Sequence, residues 1–133
     1  MSDASRAPER RTVVLVVEDE PAICDLLVEA LEEHGFAARC VQKDQQAFEV
    51  LRSGGAFACM IVDVNLGAGT TGYDVARFAR TIQPGLPVIY VSGQSSEESF
   101  RQNGVTGSLF VPKPFTADDL MERVQMLVGD NDD

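Results

Sequence analysis

The sequence predicts an α/β sandwich, a five-stranded parallel sheet with helices on both faces. Two observations predict it. Five short runs rich in Val, Ile and Leu alternate with five segments of helical character, most carrying apolar residues at helical spacing. The clearest strand-like runs are apolar without alternation, as in strands covered on both faces. Parallel strands joined by helical crossovers give three layers. The 133 residues have the size of one domain and are enough for a real core.

In order, residues 1–11 form a polar, flexible lead-in with Pro8 and three arginines. Thr12 to Val17 is an unbroken β-branched strand that ends in Glu18-Asp19-Glu20. Pro21 suits the first turn of a helix. Ile23, Leu26, Leu27, Ala30 and Leu31 follow at helical spacing, and His34-Gly35 closes that helix. Phe36 to Val41 is a weaker strand. Asp44 to Arg52 is a helix with Ala47, Phe48 and Leu51 on one face, stopped by Ser53-Gly54-Gly55. Ala58 to Asp63 is the third strand, five mostly apolar residues leading into one aspartate.

Residues 67–72 form a glycine-rich loop. Tyr73 to Ile82 is a helix with Val75, Ala76, Phe78 and Ala79 inward, ended by Pro84-Gly85. Pro87 to Ser92 is the fourth strand. Gln94 to Gln102 is a polar, weakly patterned helix stopped by Asn103-Gly104. Ser108 to Val111 is the fifth strand, followed by the turn Pro112-Lys113-Pro114. Thr116 caps a last helix, with Asp118 and Asp119 in the first turn where the helix dipole favours anions. The domain spans residues 12–129, and residues 130–133 are an acidic tail.

The net charge of −10 argues against a nucleic-acid surface, which needs a basic stripe. No apolar run approaches the roughly 18 residues of a membrane span. The first residues lack the apolar core of a signal peptide. Cys24, Cys40 and Cys59 are odd in number and far apart, and read as reduced packing residues of a cytoplasmic protein.

The informative pattern is where polar residues fall. The first strand ends at Glu18-Asp19, the third at Asp63, the fourth at Ser92, and the fifth just before Lys113. In a parallel sheet these ends share one edge, where ligands gather. Three carboxylates crowded there would raise each other's pKa. A divalent cation such as Mg²⁺ relieves that cost and leaves room for phosphate oxygens. Taken singly, each has a blander reading: Glu18-Asp19-Glu20 as acid residues of a helix N-terminus, Asp63 as a cap, Ser92 as a turn residue, Lys113 as a solvated side chain. Their conjunction points to placing a phosphoryl group on a carboxylate. Glu20 reads as structural, His34 as a surface residue, and Phe110 as core or a mobile ring beside the site.

These residues resemble the receiver domain of bacterial two-component response regulators over about residues 11–129. The matching motifs are V-L-V-V-E-D-E at Val14 to Glu20, I-V-D-V-N-L at Ile61 to Leu66, V-I-Y-V-S-G at Val88 to Gly93 and V-P-K-P-F at Val111 to Phe115. The resemblance implies a flavodoxin-like fold with strand order 2-1-3-4-5. It implies Asp63 as phosphoacceptor, with Mg²⁺ held by Glu18, Asp19, Asp63 and the backbone carbonyl of Asn65. It implies that Ser92 and Lys113 contact the phosphoryl group, and that Phe110 is an aromatic switch. The donor would be a sensor histidine kinase or a histidine phosphotransfer protein. The output would be a contact with a downstream protein the sequence does not name, through the face of the fourth helix, fifth strand and fifth helix. No nucleic acid or membrane is expected, and homodimerisation is open. Met1 and the acidic tail favour a free-standing regulator, a phosphoacceptor rather than an enzyme.

Some positions depart from the family's commonest pattern. Glu18 replaces an aspartate, Gly67 replaces a frequent proline, and Phe110 lacks a tyrosine hydroxyl. Asn65 and Gln94 flank the path of attacking water. Two other readings are weaker. A phosphohydrolase on a related sheet would want a carboxylic acid where Asn65 stands. A nucleotide- or flavin-binding module would want a glycine-rich loop where Glu18-Asp19-Glu20 stands.

Overall fold

The computed structural model describes residues 13–67, 69–94 and 97–129. The lead-in with Thr12 and the acidic tail lie outside the described residues. Among the described residues, strands and helices alternate as β1 (Val13–Val17), α1 (Pro21–Glu33), β2 (Ala37–Val41), α2 (Asp44–Arg52), β3 (Cys59–Asp63), α3 (Gly72–Ile82), β4 (Val88–Ser92), α4 (Glu97–Asn103), β5 (Leu109–Pro112) and α5 (Ala117–Val128). The strands form one parallel sheet in the order β2-β1-β3-β4-β5, the expected flavodoxin-like topology.

Strand alternation divides the core into two layers. Val14 and Val16 of β1, with Ile61 and Ile89, pack against Leu27 and Leu31 of α1 and Leu120 and Val124 of α5. Leu15 and Val17, with Met60 and Val62, pack against Ala47 and Leu51 of α2 and Val75 and Ala79 of α3. Every residue of β3 and β4 is buried, which explains why those runs are apolar to their last residue.

Most boundaries agree with the sequence reading, and the shifts have local causes. The second strand starts at Ala37 rather than Phe36 because Phe36 finishes the turn after α1. Gly35 takes φ 90°, its N–H donates to Glu32 O, and the Phe36 N–H donates to Leu31 O. That is a Schellman close, and it leaves Phe36 in the core. Helix α3 starts one residue early, at Gly72, because Thr71 and Asp74 exchange side-chain and backbone bonds in a capping box. Helix α4 starts at Glu97 rather than Gln94. The Gln94 N–H donates to Ser92 Oγ instead (3.1 Å), a local side-chain bond that competes with helix.

One expectation is corrected outright. Cys24 and Cys40 are not separate packing thiols; their sulfurs are bonded, with Cα atoms 5.9 Å apart. Packing of α1 on the β1–β2 edge brings them together, a proximity invisible in their spacing of 16 residues. Cys59 remains a free, buried thiol as expected.

Candidate functional site

The sheet's carboxyl edge is built by strand register. Glu18 extends β1 by one rung, its N–H donating to Val41 O at 3.0 Å. Asp63 ends β3 opposite Val91, and the Val64 N–H donates to Val91 O at 2.9 Å. Ser92 ends β4 opposite Pro112, and the Lys113 N–H donates to Ser92 O at 2.8 Å. Four strand ends therefore converge, and the side chains follow.

Lys113 Nζ donates to Asp63 Oδ2 at 3.0 Å and lies 3.2 Å from both Glu18 Oε1 and Glu20 Oε1. Glu18 is fully buried and Asp63 is 4% exposed, whereas Asp19 is exposed. Glu18, Asp19 and Asp63 offer carboxylate oxygens within 4.8 Å of one another. Burial pushes the Glu18 carboxyl up to about 7, and the charge of Asp63 pushes the same way; Lys113 and the Glu20 N–H pull it back. Burial works against the charge on Lys113, but its hydrogen bond to Asp63 and the charges of Asp63 and Glu18 outweigh that and raise its pKa.

The donor set suits a hard cation. It is all oxygen, one ligand is exposed to water, and Glu18 Oε1 is buried without a directed hydrogen bond although Lys113 lies 3.2 Å away. An open cleft of about 1010 Å³ covers this edge and is lined by Asp19, Asp63, Asn65, Gln94 and Lys113 among others, which leaves space for waters and a donor group.

A second layer of contacts surrounds Asp63. The Asn65 N–H donates to Asp63 Oδ1 at 2.9 Å, an Asx turn that fixes the carboxylate's rotation. Asn65 Nδ2 donates to Gln94 Oε1 at 2.9 Å, and Ser92 Oγ donates to Asn65 Oδ1 at 3.4 Å. The loop after β3 is closed by the Gly72 N–H donating to Val64 O at 2.8 Å and by a bridge between Asn65 and Thr71. Ala68 of that loop lies outside the described residues.

Gly72 itself has no room for a side chain. A Cβ there would collide with the Asp63 carbonyl and stand 3.0 Å from Val64 Cα, and backbone cannot swing aside. Gly72→Ala is expected to cost about 2 kcal/mol of stability, within the range for overpacking. Thermal unfolding checks this, and an unchanged midpoint would show that the loop yields freely.

Phe110 is half-buried against the α2–α3 layer. Its ring stacks on Phe100 of α4, with centroids 5.5 Å apart and planes 25° apart. Phe100 meets Tyr90 at 5.8 Å, and Tyr90 meets Tyr73 at 4.9 Å. Helix α4 buries no residue completely, so this aromatic row is a main part of its hold on the sheet.

The structure brings Glu18, Asp19, Asp63, Asn65, Ser92 and Lys113 to one edge and sets Phe110 in the row beside it. Two participants escaped the sequence reading. Glu20 contacts Lys113 directly, and its signal was membership of an unbroken acidic run. Phe100 was the large apolar residue of an otherwise polar helix.

Comparison with known proteins agrees with this geometry. The response regulator receiver domain family matches residues 14–125. The chain is 31% identical over 121 residues to the transcriptional regulatory protein CreB of Escherichia coli (strain K12), covering 90% of this chain and 52% of that protein. It is 32% identical over 117 residues to the regulatory protein VirG of Agrobacterium fabrum (strain C58 / ATCC 33970), covering 85% of this chain and 44% of that protein. The chain thus spans about half the length of these curated relatives. Its structure is similar to that of a response regulator receiver protein from Sinorhizobium medicae WSM419, with a TM-score of 0.83 and 30% identity over 92% of this chain and 98% of that one. With the fold, the strand-end cluster and the match over most of its length in agreement, the chain belongs to the family of receiver domains of two-component response regulators, which serve phosphorelay signal transduction.

Proposed function

We propose that this chain is a Mg²⁺-dependent phosphoacceptor that takes a phosphoryl group from a phosphohistidine onto Asp63 and thereby changes a protein-binding face. The observation that carries this reading is the Lys113 ammonium 3.0 Å from Asp63 and 3.2 Å from Glu18, at the open edge of a parallel sheet. The donor is a sensor histidine kinase or a histidine phosphotransfer protein. Asp63 attacks phosphorus in line, and the bond to the donor nitrogen breaks as the acyl phosphate forms. Glu18, Asp19, Asp63 and the Asn65 carbonyl are the residues that would hold Mg²⁺. Bound there, Mg²⁺ supplies charge stabilisation for the phosphoryl oxygens. Lys113 offsets the same charge.

Ser92 exchanges its bond to Asn65 for one to the phosphoryl group, and Phe110 with α4 responds. That differential contact shifts a two-state equilibrium. The protein is not an enzyme in turnover, although its residues assist both addition and loss of the group. We place it in the cytoplasm with a downstream protein as target. The net charge of −10 makes protein a better partner for this surface than nucleic acid, although curated relatives are named as transcriptional regulators. The receiver unit is read as residues 12–129.

The test is intact-protein mass after incubation with acetyl phosphate. A gain of one phosphoryl group with Mg²⁺, absent when chelator is present from the start and removed afterwards by hydroxylamine, is the expected result. No gain, with no detectable Mg²⁺ binding, would leave the fold without the chemistry. A second expectation concerns the lifetime of the group. The Asn65–Gln94 bond spans the approach of water, so Gln94→Ala is expected to speed loss of the phosphoryl group roughly threefold to tenfold, a change of about 1 kcal/mol in barrier. Decay of the mass-shifted species after donor removal measures it; an unchanged or slower decay would remove Gln94 from that role.

A further inference from the structure

The Cys24–Cys40 pair brings a second chemistry to the same end of the sheet. Cys24 lies near the start of α1 and is 5% exposed; Cys40 is half-buried on the edge strand β2. Their Cα separation of 5.9 Å lies within the ordinary span of a disulfide. Cys59 is a poor competitor. It is fully buried in β3, and burial pushes its thiol up to about 12, so it is protonated and shielded.

The pair touches the cation site through the backbone of Glu18. Cys24 Sγ is 3.3 Å from the Glu18 carbonyl oxygen. Cys40 pairs in register with Val16, and its neighbour Val41 accepts the Glu18 N–H. The two cysteines therefore flank residue 18 from helix and strand. In the thiol form Cys24 can donate to the Glu18 carbonyl; in the closed form that bond is replaced by a covalent tie between α1 and the strand whose Val41 accepts the Glu18 N–H. In a reducing compartment, the setting proposed above, a disulfide is transient rather than a permanent brace.

We propose that Cys24 and Cys40 are a redox-reversible pair, closed by a peroxide and opened by a dithiol, whose closure clasps α1 to β2 and holds Glu18 ready for its cation. Cys40, the less buried residue of the two, attacks one peroxide oxygen as thiolate; the O–O bond breaks and hydroxide leaves. Cys24 sulfur then attacks the Cys40 sulfenic acid. The S–S bond forms, the S–O bond breaks, and the oxygen departs as water with the Cys24 proton. Two thiols are oxidised and one peroxide is reduced to two waters. A dithiol reverses the bond by exchange and is itself oxidised to a disulfide.

The inference rests on the cation-site reading, and the experiment separates the two. The 133-residue chain is reduced, treated with hydrogen peroxide, denatured and alkylated, and its mass and peptides are read without reductant. The expected product has lost two hydrogens, takes one alkyl group at Cys59, and yields a Cys24–Cys40 linked peptide that dithiothreitol separates. Cys40→Ser gives no such peptide. Three alkylated thiols, or over-oxidised cysteines with no linked peptide, would overturn the pair. Calorimetric Mg²⁺ titration of both forms then reads the coupling. The oxidised form is expected to bind at least about fivefold more tightly, the low end of ordinary coupling between sites. Equal or weaker binding overturns the clasp. Absence of binding in both forms overturns the cation site and the coupling with it, while the linked peptide still decides the redox pair.

Discussion

Asp63→Asn is expected to abolish phosphoryl uptake and, in metal-free buffer, to make the protein more stable. The first effect is chemical: an amide offers phosphorus no anionic oxygen. The second is electrostatic. Glu18 and Asp63 are both buried beside one ammonium, and the charge of Asp63 helps hold Glu18 near 7. Removing that charge loses the 3.0 Å pair with Lys113, but Lys113 keeps Glu18 and Glu20 at 3.2 Å. The fully buried carboxylate is relieved of its repeller while the cation stays partnered. Each pK unit by which Glu18 returns toward its ordinary value is worth about 1.4 kcal/mol. Destabilised functional sites of this kind are the usual place where substitution stabilises.

The same reasoning fixes a pH dependence. Between 4.5 and about 7, folded Glu18 holds a proton that the unfolded chain has released. Its contribution therefore favours folding at the low end and is lost as pH rises. The stability gained by Asp63→Asn should accordingly grow across that window. Chemical denaturation of both proteins at pH 5 and pH 8, with chelator present, reads it. A gain that shrinks with pH, or a less stable mutant at pH 8, would refute the electrostatic account.

Much of this site was legible in the chain because strands covered on both faces are apolar until they end. Asp63, Ser92 and Lys113 mark the points where burial of the chain gives way to the cleft, and the parallel topology puts such points on one edge. Helices α1, α2, α3 and α5 were readable because each carries an apolar stripe toward the sheet. What escaped depends on contacts that sequence distance does not encode. Cys24 and Cys40 meet only because α1 packs over the β1–β2 edge. Glu20 looked like a helix-start acid because nothing in its neighbours reveals that Lys113, 93 residues on, reaches back to it. Helix α4 was placed too early because the Ser92–Gln94 turn competes with helix only once Ser92 is fixed at the end of β4. Phe100 was passed over because its helix is polar, and its partners Tyr90 and Phe110 come from two strands.

Lys113→Met is expected to have the opposite effect on stability and a mixed effect on function. The substitution keeps much of the stem's apolar volume and removes the charge. Glu18 and Asp63 then face each other with no ammonium between them, and breaking a buried pair in this way costs about 3–5 kcal/mol. The loss should be largest at pH 8 and smaller at pH 5.5, where Glu18 takes up a proton instead. Mg²⁺ should restore much of it, because stabilisation by a ligand grows with its concentration over its Kd. Lys113 also competes with a metal for the same carboxylate oxygens, so the variant is expected to bind Mg²⁺ more tightly. Phosphoryl uptake should nevertheless slow by roughly 100-fold at saturating Mg²⁺, the usual cost of losing one donor to transition-state charge. Calorimetric titration and the initial rate of mass gain separate these effects. Tighter Mg²⁺ with slower uptake identifies Lys113 as a partner of the phosphoryl group. Weaker Mg²⁺ would mean that the ammonium's main work is to hold Glu18 and Asp63 in place for the metal.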